Sequence, residues 1–342
     1  KIKLRHSVQL EEPSSNGYTE NMNKPLIVCV GSAAQDVFLM GKVFTPECEA
    51  GICYEHLKLG DKLSVEKMVY ASGGNAMNAA VTFARQGIET SFISILGDDP
   101  AGHAVLHELD NESVGTRHVI VDKKYTTSYS VILLAPNGER TILNYHGERL
   151  SSCPDIVSDK TLRGDWLYIS SVGSMELLRR IVKIAKANGM KVAFNPASYE
   201  MKHTQASANL FSSIDLLALN KEEASQFVSG DSSEELAIQL SDSVPLVLVS
   251  DGPKGSVATD GMTTYSAGIY DNVAVIDRTG AGDAFTSGFI AKIASGEGIE
   301  ESLIFASANS TSVVQKVGAK AGILHENARL HDMKIKTRKI AN

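Results

Sequence analysis

From residue 25 onward, short apolar runs recur along the chain: "LIVCV" at 26–30, "SFISIL" at 91–96, "WLYIS" at 166–170, "KVAFN" at 191–195, "DLLAL" at 215–219 and "LVLVS" at 246–250. Most are continuous rather than alternating, which marks strands buried on both faces. Between several of them lie stretches with helical spacing: "NAMNAAVTFARQG" (75–87), "MELLRRIVKIAKANG" (175–189) and "KEEASQFVSG" (221–230). Each closes on glycine, as helix C-termini commonly do. Strand and helix in alternation predict an α/β fold with a mostly parallel central sheet and helices on both faces.

Two segments, 42–72 and 118–147, break the alternation. They carry alternating or turn-punctuated strands, with Asn137-Gly138 a strong hairpin signal. They predict a separate small sheet that folds over one edge of the main one as a lid; a β-extension without function is the alternative. Residues 1–24 are polar without a period and read as a flexible leader. The folded domain is expected over 25–328, with 329–342 a C-terminal tail whose basic cluster (Lys334, Lys336, Arg338, Lys339) is solvated.

Ligands of open parallel sheets bind beyond the carboxyl ends of the strands, so the residues after each run carry the chemistry. There the chain offers "GSAAQD" with Asp36, "GDDPAGH", "SVGS", "NPAS" with Asn195, "NKEE" with Asn220 and Glu223, and "DGPKG". A further glycine-rich turn, "DRTGAGDAFTSGF" (277–289), opens a helix. Such a turn receives an anion, because its N–H groups are unpaired and the helix dipole is positive there. Asp283 at that point is either a base for a hydroxyl attacking a phosphoryl group, or a simple helix cap; this stretch alone leaves both open.

Composition narrows the classes. The chain is 43% apolar and 21% charged, ordinary for a globular protein, and its net charge of −7 gives no field for a nucleic-acid backbone or an anionic membrane. No apolar run is long enough to span a bilayer and no signal-peptide core is present, so a cytoplasmic protein is expected. The cysteines are Cys29, Cys48, Cys53 and Cys153; Cys29 reads as buried, and Cys48 and Cys53, which could pair or share a metal, read as free thiols for want of a second ligand pair. The histidines show no metal-ligand spacing.

Four motifs in a fixed order carry a resemblance: "SGGNAMNAA" (72–80), "NKEE" (220–223), "SDGPKG" (250–255) and "DRTGAGDAFTSGF" (277–289). Over about residues 25–323 the chain resembles the ribokinase-like (PfkB) family of carbohydrate and nucleoside kinases. The resemblance implies a three-layer α/β/α fold with a mostly parallel sheet and a small β-sheet lid. It implies an ATP-dependent kinase in which Asp283 is the base and Gly280, Ala281 and Gly282 form an anion hole. Asn220 and Glu223 would organise Mg²⁺ through its waters. Ser250, Gly252 and Gly255 would lie along the ATP phosphates, and Asn309 near the adenine. Asp36, Gly73, Gly74, Asn75 and, more weakly, Asn78 would hold the acceptor. Asp277 and Thr279 match half of the monovalent-cation site that some members use for K⁺, while "VQKVGAKAG" (314–322) matches the other half only loosely. Arg278, often smaller in the family, reads as solvent-facing.

The expected function is transfer of the γ-phosphoryl group of ATP to a hydroxymethyl group of a sugar or sugar-like molecule, with an adenosine-type nucleoside kinase as the alternative. A phosphosugar acceptor is disfavoured, because no Lys or Arg pair is evident in the lid. Asn195 reads as either a loop tie or a site residue, and Arg140 as a hairpin end rather than a substrate ligand. A catalytically silent binding protein would have lost Asp283, Asn220 or Glu223, and a dinucleotide oxidoreductase lacks its glycine fingerprint here. Pairing of two lids into a homodimer is the expected association.

Overall fold

The computed structural model describes residues 24–271 and 273–340; apart from Lys24, the expected leader lies outside the described residues. In chain order the first strands are β1 (Leu26–Val30), β2 (Ala34–Met40), β3 (Glu47–Glu49), β4 (Ile52–Tyr54), β5 (Lys67–Gly73), β6 (Glu89–Gly97), β7 (Gly115–Asp122), β8 (Ser128–Leu134) and β9 (Arg140–Tyr145). They continue as β10 (Trp166–Ile169), β11 (Lys191–Phe194), β12 (Leu216–Asn220), β13 (Leu246–Ser250), β14 (Ser256–Thr259), β15 (Thr263–Ala267) and β16 (Lys336–Lys339). The helices are α1 (Asn75–Arg85), α2 (Pro100–Asn111), α3 (Met175–Ala187), α4 (Ser198–Met201), α5 (Thr204–Ala208), α6 (Lys221–Ala224), α7 (Ser233–Ser241), α8 (Ala281–Ala294) and α9 (Ile299–Val314).

A 10-stranded sheet runs in the order β16-β15-β14-β13-β12-β11-β10-β1-β6-β7, parallel from β13 to β7 and antiparallel at the other end. Its continuous apolar runs cover two cores at once. In β1, Val28 and Val30 face α3 and α7 with Leu178, Ile181 and Leu236. Ile27 and Cys29 face α1, α2, α8 and α9 with Met77, Phe83, Leu109 and Phe289. Phe83 meets Tyr168 edge to face at 5.6 Å, both fully buried. Each large apolar side chain buried this way contributes about 1.5–3 kcal/mol. This is the three-layer α/β/α arrangement with a mostly parallel sheet. No described helix is long and apolar enough to cross a membrane.

The lid is a four-stranded sheet in the order β5-β2-β8-β9. Its composition corrects the expected segments 42–72 and 118–147. β2 belongs to it, so Asp36 stands on the lid, whereas β7 pairs parallel with β6 at the edge of the main sheet. The alternation of β7 that suggested a lid strand is that of an edge strand open to solvent on one side. Between β2 and β5, the hairpin β3–β4 sets Cys48 opposite Cys53, and the two are disulfide-bonded; the free-thiol expectation was wrong because the tight turn brings the cysteines into register.

Two further expectations change. The stretch 221–230 forms only the four-residue α6, since Ser225 Oγ bonds back to Glu222 O (2.7 Å) and turns follow. The expected tail 329–342 is not free: β16 pairs with β15, and Arg338 Nε bonds Glu234 Oε1 at 2.9 Å. An exposed edge strand rich in Lys and Arg reads as a tail in sequence and as a guarded edge in structure.

Candidate active site

The turn into α8 is the centre of the site. Gly280 caps the helix in the left-handed region (φ 76°), and a Cβ there would fall 2.6 Å from Ala319 Cα, so no side chain fits. Ala281, Gly282 and Asp283 form the first turn, where N–H groups have no intrahelical acceptor. The turn is stapled to the loop after α9 through the fully buried Asp277. Its Oδ1 accepts from Thr279 N (2.9 Å) and Thr279 Oγ1 (2.7 Å), and its Oδ2 from Gly318 N (2.9 Å). The residues matched to both halves of a monovalent-cation site are therefore side by side.

Two cavities meet at this turn. The first, about 430 Å³, is lined by Thr279, Gly280 and Asp283 on one side and by Asp36, Gly74, Asn75 and Asn78 on another. Cross-strand register puts Asp36, Ser130 and Asn144 in one row over the inner face of the lid. Burial pushes the Asp36 carboxyl up, against a hydrogen bond from Ser130 that favours its ionised form. Gly73 ends β5 next to Asp36 but does not line the cavity.

The second cavity, about 500 Å³, is lined by Ala281 and Gly282 of the turn and by Ser250, Gly252 and Gly255. Its apolar walls are Ile269, Val273, Val275, Phe285 and Val314. The buried hydroxyls Ser256 Oγ and Ser307 Oγ reach it without a hydrogen-bond partner. Glycines, an apolar slot and orphaned hydroxyls together fit a nucleotide. Asn309 corrects an expectation. Its amide is fully buried between helices, Nδ2 bonding Ala284 O and Oδ1 accepting from Leu324 N, both at 2.8 Å; its neighbours Ser310 and Thr311 line the cavity instead. Arg278, expected to face solvent, lines the cavity and pairs with Glu139 of the lid hairpin at 3.5 Å.

Asn220 and Glu223 form a reciprocal N-cap of α6: Asn220 Oδ1 accepts from Glu223 N (2.9 Å) and Glu223 Oε2 from Asn220 N (2.8 Å). Neither lines either of these two cavities, yet the Glu223 carboxyl is pushed up by burial and by the charge of Asp283. Asn195 ties strands, with Nδ2 on Ala218 O at 2.9 Å, and stays outside both cavities.

Asp283 is itself pushed up by burial. Opposing this, Asn78 Nδ2 donates to Asp283 Oδ2 at 2.7 Å, and the charge of Lys320 favours the carboxylate. Lys320 is buried; its Nζ donates to Ser72 O, approaches Asn78 Oδ1 at 3.4 Å and pairs with Glu108 Oε1 at 3.5 Å. The ammonium thus faces the oxygen end of the Asn78 amide, leaving the nitrogen end for Asp283. Sequence reasoning missed Lys320, whose motif it had matched only to a cation site. It also missed Ser130, Asn144, Arg149, Tyr199 and Lys202, all of which line the first cavity. Arg140 lines that cavity as well, with a buried, unpartnered Nε, rather than decorating a hairpin end. Arg140, Ile142 and Asn144 stand at every second position of "RTILN" and so share one face of the strand, which was the signal for Arg140 and Asn144.

Comparison with known proteins shows the family of the chain. Residues 25–326 match the model of the pfkB family carbohydrate kinases. A ribokinase of Haemophilus influenzae is 28% identical over 276 residues, covering 78% of this chain and 88% of that protein. A fructokinase of Salmonella typhimurium is 31% identical over 250 residues, covering 67% and 78%. The structure of Arabidopsis thaliana ribokinase complexed with ribose and ATP superposes with a TM-score of 0.72 at 25% identity, covering 89% of this chain and 97% of that one. With its signature turns gathered between two cavities, this chain belongs to the pfkB family of carbohydrate kinases.

Proposed function

We propose that the protein transfers the γ-phosphoryl group of ATP to a hydroxymethyl group of a sugar or sugar-like acceptor, with Asp283 as general base. The observation that carries this reading is that Thr279, Gly280 and Asp283 line one cavity while Ala281 and Gly282 line the other. ATP lies in the second cavity, its phosphates along Ser250, Gly252 and Gly255; the acceptor lies in the first, its hydroxyls on Asp36, Ser130 and Asn144, with Gly73, Gly74 and Asn75 beside them. The acceptor oxygen attacks the γ-phosphorus as the bond to the β-phosphate oxygen breaks, its proton passes to Asp283, and ADP leaves. The N–H groups of the α8 turn hold the charge of the transferred group. Arg140 supports this from the lid, since its hairpin packs on the Ile276–Arg278 segment.

Asn220 and Glu223 would hold Mg²⁺ through its waters, and when bound the ion neutralises phosphate charge. Asp277 and Thr279 would serve K⁺ if the reaction uses it. The reading implies a cytoplasmic enzyme, where ATP is at hand. Exposed Met68, Tyr70, Leu143 and Tyr145 on the outer face of the lid support pairing of two lids into a homodimer, which sedimentation measures directly.

Asp283→Asn is expected to lower kcat by about 10²–10⁴, the range for a lost general base, with ATP binding retained by calorimetry. Near-normal turnover would remove the residue from that role. Nucleosides belong in the same acceptor screen as sugars, and preferential turnover of one would replace the sugar reading.

A further inference from the structure

The first cavity holds cationic groups that phosphoryl transfer does not use. Arg149 follows β9 and Lys202 follows α4, and both line its wall. Arg149 is pre-positioned rather than loose. Its guanidinium carbon lies 5.7 Å from the centre of the Tyr199 ring, and its stem packs on Gly173, where any side chain would collide with it. Lys202 stands one helical turn after Tyr199.

Among the described residues, no ion pair within 4.0 Å involves either cation; the neighbouring Glu148, which also lines the cavity, accepts from Ser152 Oγ at 2.8 Å. Asp283 has partners of its own, Asn78 Nδ2 at 2.7 Å and, behind that amide, Lys320. A guanidinium over an aromatic ring, with its stem against a glycine, in a cavity that a lysine also lines, offers fork and point-charge donors to an oxyanion. At about 430 Å³ the cavity has room for a monosaccharide with a charged substituent.

We propose that the acceptor carries an anionic group, a carboxylate or a phosphate, at the end opposite its reacting hydroxymethyl group, and that Arg149 and Lys202 hold it. This rests on the kinase reading above and deepens it. It also reverses the expectation from sequence, which sought a cationic pair within the lid. The pair instead comes from the chain leaving the lid and from a loop beyond β11, brought together only by the fold.

The test uses acceptors that share a skeleton and keep the hydroxymethyl free: ribose, ribonate and ribose 1-phosphate. The wild-type kcat/KM is expected to favour one or both anionic acceptors over ribose by about 10- to 100-fold, mainly through KM, as for a charge-assisted bidentate contact. Ribonate or ribose 1-phosphate as the better acceptor identifies the source of the anion. In Arg149→Gln combined with Lys202→Gln, the anionic-to-neutral ratio is expected to fall at least about tenfold, with thermal denaturation confirming a folded chain. A wild-type ratio at or below one, or a ratio that the double variant leaves alone, overturns the proposal. Asp283-dependent turnover of ribose without anionic preference overturns this proposal alone. Absence of ATP consumption with every acceptor overturns the kinase reading and this one together.

Discussion

At the scale of single residues, the base proposed for the site is one carboxylate in a buried place. Asp283 is faced by Asn78 from α1, Lys320 from the loop after α9, Asp36 from the lid, and Tyr168 and Glu223 from the sheet side. Burial and Asp36 raise its pKa, while Asn78 and Lys320 lower it. The proposed base must be ionised to act, so kcat/KM is expected to show an acid limb at its folded pKa. Lys320→Met removes a positive charge and releases the Asn78 amide, and the limb is expected to move to higher pH, with Lys320→Arg moving it less. Loss of amplitude with an unmoved limb would assign Lys320 a packing role only.

At the scale of elements, the N-terminus of α8 shows how backbone shape and chemistry depend on each other. Gly280 must be left-handed for the turn to present its N–H groups, and Ala319 closes off the space above it. Gly280→Ala therefore meets both a strained conformation of about 1–2 kcal/mol and a backbone clash. Its melting temperature is expected to fall by several degrees and its kcat with it, read by calorimetry and steady-state assay. An unchanged melting temperature would mean that the 318–320 loop yields freely.

At the scale of the whole molecule, the acidic centre is a trade between activity and stability. Asp36, Glu223 and Asp283 all have folded pKa values raised by burial. A group raised in this way stabilises the fold below its unfolded pKa, near 4, and that contribution is lost as pH rises through the folded value. At neutral pH the three carboxylates are a net cost. The neutral Asp283→Asn variant is accordingly expected to melt at a higher temperature than wild type at pH 7–8, with the gap closing toward pH 4. A variant that melts lower at neutral pH would contradict this.

Features that depend on near neighbours could be read along the chain. Continuous apolar runs in β1, β10, β12 and β13 announced buried strands, and "GAGD" and "NKEE" announced helix starts, because propensity, capping and turn chemistry act over a few residues. Only the tertiary structure decided which strands share a sheet and which loops share a cavity. β2 crosses into the lid, β7 joins the main sheet, β16 closes its far edge, and Cys48 meets Cys53 across a hairpin. The same holds for the candidate site: Asp283 stood out in its own turn, though as base or cap alike, whereas Lys320 behind Asn78, and Arg149 beside Tyr199, did not. Charge and hydrogen bonding fall off over a few ångströms in space, and the sequence does not carry that distance between residues far apart along the chain.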